Sequence, residues 1–139
     1  MIFPIWSVIC SIILTDRFTN SVSYIQCLEQ ISTKDLPQEL PYLVIGSLWE
    51  RDSEAKEHFK FRIVLEKPSG SKKTVFDDKT TMEKKRHRLN VNLSGLEIEE
   101  PGRHIFHIDY NQGKRWKNAF KLPLQINLLK QSSVDVIDV

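Results

Sequence analysis

The sequence is poor in the residues that mark specialised folds. It holds two cysteines, five glycines and six prolines in 139 residues. Two cysteines cannot build a disulfide-dense scaffold. So little glycine and proline excludes collagen-like and low-complexity chains. Long apolar runs are missing too. The opening stretch Met1–Thr15 is stopped by Asp16 and Arg17, short of the ~20 residues a membrane-spanning helix needs. It has no basic residue ahead of it and no small-residue cleavage site behind it, so it reads as a strand rather than a secretory leader. No G-x-S-x-G, P-loop, H-E-x-x-H or paired C-x-x-C is present, and no internal repeat appears. No catalytic site, cofactor or metal is therefore expected.

What remains is an ordinary globular composition, 40% hydrophobic and 27% charged, with a formal net charge of +2. Residues 1–139 suit a single domain, with a core over about 5–128 and a frayed tail over 129–139. Charge is unevenly spread. Arg17, Lys34 and Arg51 are the only basic residues before position 54, against six carboxylates there. Residues 54–88 hold eleven Lys and Arg against six Asp and Glu, so the middle third is the basic part. Cys10 and Cys27 each lie in an apolar stretch and read as buried free thiols of a cytoplasmic protein. Whether they bond is left open by the sequence.

Along the chain, apolar and polar residues alternate with a period of two. Phe59, Phe61, Ile63 and Leu65 face one way; Lys60, Arg62, Val64 and Glu66 face the other. The same rhythm recurs at His87, Leu89, Val91 and Leu93, at Phe106, Ile108 and Tyr110, and at Phe120, Leu122, Leu124, Ile126 and Leu128. Strands are expected at about 5–15, 21–31, 42–50, 58–67, 86–95, 103–110 and 116–128. Residues 71–84 are poorly patterned and read as a mobile loop or a short edge strand at 74–77; Val134, Val136 and Ile137 offer an eighth strand. No helical stripe of any length is seen. Strands with one apolar face each must cover one another, which predicts an all-β, antiparallel two-sheet sandwich of seven to eight strands, immunoglobulin-like or C2-like.

The order of turn and strand signatures carries a resemblance. Asn20-Ser21-Val22-Ser23 opens the second strand, Leu36-Pro37 to Pro41 leads into the third, and Pro68-Ser69-Gly70 ends the fourth. Pro101-Gly102-Arg103-His104-Ile105-Phe106-His107-Ile108 forms the sixth. This pattern resembles an uncharacterised bacterial β-sandwich family, a domain of unknown function. The resemblance implies the fold over about 5–128 and no catalytic residues.

Three constellations carry chemistry on paper. His104, His107 and Asp109 include metal-ligand types, but on a strand only His107 and Asp109 share a face, with His87 a possible third group from a neighbouring strand. Glu97, Glu99, Glu100, Asp77 and Asp78 are too sparse, and too close to basic residues, for a calcium site. The basic stretches 72–88 and 114–117 are the sharpest feature. Lys84, Lys85, Arg86, Arg88, Lys114, Arg115 and Lys117, with Trp116 among them, are the residue types that hold phosphates and stack bases. Trp6, Trp49 and Trp116 read as core or interface anchors.

The leading expectation is a non-enzymatic protein-interaction or structural domain. It would recognise a protein partner, or a second copy as a homodimer, through sheet edges and loops. Pro123 marks 116–128 as an edge, with Phe120, Leu122, Leu124 and Ile126 as the partner-binding residues. The alternative is a nucleic-acid-binding module using the two basic stretches.

Overall fold

The computed structural model describes residues 1–129, and every described element is a strand. β1 (Ile2–Thr15), β2 (Val22–Cys27), β5 (Val44–Arg51) and β8 (Arg86–Asn92) form one sheet in the order β2-β1-β5-β8. β3 (Gln30–Thr33), β6 (Glu57–Glu66), β7 (Lys72–Met82), β10 (Gly102–Asn111) and β11 (Lys117–Leu128) form a second, in the order β3-β11-β10-β6-β7. β4 (Gln38–Glu39) and β9 (Glu97–Ile98) make a small separate ladder. All pairings are antiparallel except that β3 runs parallel to the end of β11. No helix among the described residues is long and apolar enough to cross a membrane.

The alternation explains where the core sits. Phe59, Phe61, Ile63 and Leu65 of β6 are buried, as are Phe106 and Ile108 of β10 and Leu124 and Ile126 of β11. Ile45 and Trp49 of β5 and Val91 of β8 come from the other sheet. Trp49 joins the two. Its ring lies 5.3 Å from Phe59, 5.2 Å from Tyr110 and 6.2 Å from Phe120, in tilted and edge-on contacts that suit aromatic quadrupoles. Its indole Nε1 donates to Ser47 Oγ at 2.8 Å, so the one polar atom of the ring is satisfied inside the core.

Three differences from the expectation have local causes. The predicted second strand is two. Gln26 takes a left-handed φ of 57°, the ladder with β1 ends at Cys27, and the chain crosses to the other sheet as β3. The stretch 71–84 is not a loop, because β7 pairs with β6 over its whole length. Its pattern is weak because it is an edge strand and carries a bulge opposite Ile63 and Val64, which lets the consecutive Val75 and Phe76 both pack against the core. The prolines of 37–41 do break the chain, but Gln38 and Glu39 still pair with β9. The suggested strand at Val134, Val136 and Ile137 lies outside the described residues.

The first hairpin folds back on its own sheet. Tyr24 pairs with Ile13, seven positions along β1 from Trp6. An extended strand would separate those positions by roughly 23 Å. Their rings are nevertheless 5.1 Å apart, edge to face, and the Tyr24 ring also covers Gly46 of β5. The β1–β2 hairpin therefore curls over the outer face of the four-stranded sheet. Ile13, Val22 and Tyr24 are half-buried beneath it, while Ile12, Leu14 and Ile25 point outward.

His104 is 1% exposed and faces the core from β10, its Nδ1 3.2 Å from the Gly102 carbonyl oxygen. Burial pushes its pKa below the ordinary histidine value, although the Gly102 carbonyl acts the other way. His87 of β8 is lowered by burial as well. The unfolded chain therefore binds protons that the folded chain refuses. The resulting stability is complete above the unfolded pKa of about 6.5 and is lost as pH falls through the folded values. Urea unfolding should give a constant free energy above pH 7.5 and a declining one towards pH 5, and His104→Leu should flatten part of that decline. An unchanged pH slope in the variant would refute the assignment.

Candidate functional site

The outer face of the five-stranded sheet gathers more polar chemistry than any other described surface. Its outward residues follow from parity. β6 contributes His58, Lys60, Arg62, Val64 and Glu66; β7 contributes Lys72, Thr74, Asp77, Lys79 and Thr81; β10 contributes His107 and Asp109; β11 contributes Asn118 and Lys121. Register makes them neighbours, with Lys60 opposite Lys79, Arg62 between Asp77 and Asp109, and His107 between Val64 and Lys121.

The carboxylates in the middle of this face are already engaged. Arg62 Nε donates to Asp109 Oδ2 at 3.0 Å, and Asn118 Nδ2 donates to Asp109 Oδ1 at 2.9 Å. His107 Nε2 lies 2.7 Å from Glu66 Oε1, and since a carboxylate only accepts, Nε2 carries the proton. That hydrogen bond holds the Glu66 carboxyl below its ordinary range despite an opposing push from burial, with Lys72 and Lys121 adding to the lowering. The Arg62 guanidinium carbon sits 4.0 Å above the centre of the Trp116 ring, a cation–π stack fixed from the other side by Asp109.

Two clefts adjoin at Lys60 and Lys79. One, of about 300 Å³, lies between β6, β7 and the turn at 111–113 and includes His58 and Thr81, joined through Nδ1 and Oγ1 at 2.8 Å. The other, of about 410 Å³, is bounded by Asp77, Asp78 and Trp116. Beyond Arg62 a third hollow of about 300 Å³ is lined by Lys72, His107, Asn118 and Lys121. Together they follow β6 from His58 to Val64. Nothing in this groove is a nucleophile activated by a base, and no group of three or more His, Cys, Asp or Glu among the described residues is placed to hold a metal. The arrangement can hold an anion and stack a ring.

The residues singled out in the sequence are placed differently. Leu124 and Ile126 are buried in the core, and Phe120 and Leu122 are half-buried against it. Their side chains cannot meet a partner in this fold. What stays open is the backbone edge of β11, which has no strand beside it until β3 begins at Gln125. Pro123 sits in that open stretch, where a missing N–H does no harm.

The basic stretches do not form one patch on one sheet. Lys84 and Lys85 lie in the β7–β8 turn, and Arg86 and Arg88 are on β8 of the four-stranded sheet. Lys85 is paired with Glu54 at 2.8 Å and Arg86 with Glu50 at 2.8 Å. Lys114, Arg115 and Lys117 are exposed at the β10–β11 turn and border the groove beside Trp116.

His107 and Asp109 do share a face, and His104 points away from them. His87 is no third ligand, because β8 pairs with β5 and not with β10. Glu99 and Glu100 tie the turn at 67–69, through Lys67 and the Ser69 backbone N–H. Trp49 is a core residue, Trp6 packs edge-on to Tyr24, and Trp116 is the platform under Arg62. Cys27 is exposed, not buried. The sequence reading missed Lys60, Arg62 and Lys121 as site residues. Alternation gave their outward direction, but only strand order brings them beside Trp116.

No curated protein matches the chain. Among solved structures, a β-D-glucoside glucohydrolase from Trichoderma reesei aligns at a TM-score of 0.55 and 9% identity, over 91% of this chain and 19% of that one. A β-glucosidase from Listeria innocua aligns at a TM-score of 0.47 and 12% identity, over 73% of this chain and 15% of that one. The alkylpurine DNA glycosylase AlkC of Pseudomonas fluorescens, bound to DNA containing an abasic site analog, aligns at 0.45 and 11% identity, over 87% and 30%. The chain thus spans under a third of each of these proteins, and the first likeness shows a shared fold alone. Residues 5–125 match the Family of unknown function (DUF6941), and the chain belongs to that family.

Proposed function

We propose that the protein is a non-enzymatic recognition domain with its two sheets stacked as an immunoglobulin-like sandwich. In this reading it binds single-stranded nucleic acid along the outer face of the five-stranded sheet. The observation that carries this is the Arg62–Trp116 stack with Lys60 and Lys79 at the adjoining cleft. The groove follows β6 for roughly 25 Å at the rise of a strand. Lys72 and Lys121 continue the positive line past Arg62, and Lys114, Arg115 and Lys117 extend it from the turn. Asp109 and Glu66 are neutralised by Arg62 and His107, so they oppose a phosphate less than free carboxylates would. A platform of aromatic and cation is sequence-tolerant, since every base has a face to stack.

The test is titration of a fluorescent oligothymidine at several salt concentrations. Wild type should bind with an affinity that falls steeply with salt. Replacing Lys60, Lys79 and Lys121 by Ser should remove most of that salt dependence. Trp116→Ala should weaken binding by roughly 5- to 150-fold, the worth of about one stacked base. Replacing Lys84, Lys85, Arg86 and Arg88, on the other sheet, should matter less. If the groove variants bind like wild type, this function is wrong.

A second reading keeps a protein partner or second copy at the open β11 edge, residues 117–124, which is the one backbone edge flanked on the same strand by a β3 ladder. Lys117, Lys121 and Pro123 weigh against it, because charges and proline on an edge discourage strand addition. Light scattering at rising protein concentration decides it; a constant monomer mass counts against a homodimer.

A further inference from the structure

We propose that Cys10 and Cys27 form a reversible cross-strand disulfide that locks the curled β1–β2 hairpin. The two residues are direct partners in the antiparallel β1–β2 ladder. The adjoining backbone bond from Leu28 N to Ile9 O, 2.8 Å, holds that register. Direct partners in an antiparallel ladder have Cα atoms about 4.5 or 5.5 Å apart, and both values lie inside the range that a disulfide spans. Side chains of direct partners also leave the same face of the ladder. Both thiols are free in this structure.

Their surroundings divide the chemistry between them. Cys27 is exposed at the end of β2, beside the left-handed Gln26, and a dissolved disulfide can reach it. Cys10 is fully buried at the middle of β1, between Cys27 on one side and Val44 of β5 on the other. Burial pushes the Cys10 thiol up, so it is the poorer first nucleophile. The sequence of steps follows. The Cys27 thiolate attacks one sulfur of glutathione disulfide, releases one glutathione and keeps the other as a mixed disulfide. Cys10 then gives up its proton to solvent and attacks the Cys27 sulfur, and the second glutathione leaves. Two protein thiols are oxidised and one glutathione disulfide is reduced to two thiols.

The bond would close the loop that carries Asp16 to Ser21 and hold the hairpin against Trp6 and Gly46. Closing a loop of this size constrains the unfolded chain, and the folded-to-unfolded ratio should rise roughly a hundredfold.

The experiment treats the full chain with glutathione disulfide and reads intact mass and non-reducing peptide maps. The expected product is a monomer lighter by two hydrogens, with the Cys10 and Cys27 peptides linked and no glutathione retained. Its urea midpoint should be higher than that of the reduced protein, and dithiothreitol should reverse the shift. Cys10→Ser should stop at the mixed disulfide, with glutathione retained on Cys27. Cys27→Ser, at an exposed position, should stay folded and take up no glutathione. Wild type that retains glutathione on Cys27, or that links only between molecules, would overturn the proposal.

Discussion

Trp49→Ala is expected to destabilise the protein by about 3–5 kcal/mol, the cost of deleting a large buried aromatic and leaving its cavity. The indole is fully buried and meets rings from β6, β10 and β11 of the opposing sheet. No other side chain links the two sheets through so many aromatic contacts. Removing it leaves Phe59, Phe61, Tyr110 and Phe120 facing a void they cannot fill, since each is held by its own strand pairing. It also orphans Ser47 Oγ, which accepts from Nε1 and donates to the Leu89 carbonyl. Trp49→Phe should recover more than half of the loss, because it restores most of the volume but not the hydrogen bond. Denaturant unfolding followed by circular dichroism measures both. A loss under 1 kcal/mol for the alanine variant would show that the two sheets do not depend on this contact.

Arg51→Met should cost about 2–4 kcal/mol, through four hydrogen bonds from one charged group. Arg51 is only 9% exposed at the end of β5. Its Nε reaches the Lys84 carbonyl at 3.2 Å and Nη2 the Glu83 carbonyl at 2.9 Å. Nη1 donates to the Ser53 and Ala55 carbonyls. One guanidinium thus ties the β5–β6 turn to the β7–β8 turn. Methionine keeps the apolar stem and leaves those carbonyls without donors. Arg51→Lys should rescue little, since a single ammonium cannot reach both turns in the geometry of the planar fork. Faster amide exchange at 83–86 and 53–56 in the variant, beyond the change in global stability, is the local readout. Equal stability of the Met, Lys and wild-type proteins would remove the role.

Much of this architecture is legible from side-chain rhythm, because burying one face of a pleated strand requires alternate residues to be apolar. That rhythm located β6, β8, β10 and β11 and pointed Lys60 and Arg62 outward and Phe59 and Phe61 inward. The rhythm fails where a strand lies at an edge or bends. β7 was obscured by its bulge and by solvent on one side, and the outward side of β1 is the more apolar because the curled hairpin covers part of it.

By itself, then, the sequence determined the strand class, the inward residues and the absence of familiar catalytic motifs. All three depend on neighbours along the chain. Tertiary structure alone decided which strands lie side by side. That choice turned Phe120 to Ile126 into core, placed Trp116 under Arg62, separated His87 from His107, and set Cys10 opposite Cys27. Period-two patterning carries no information about partner strands, and every one of those contacts joins residues that are remote in sequence and meet only through pairing or packing.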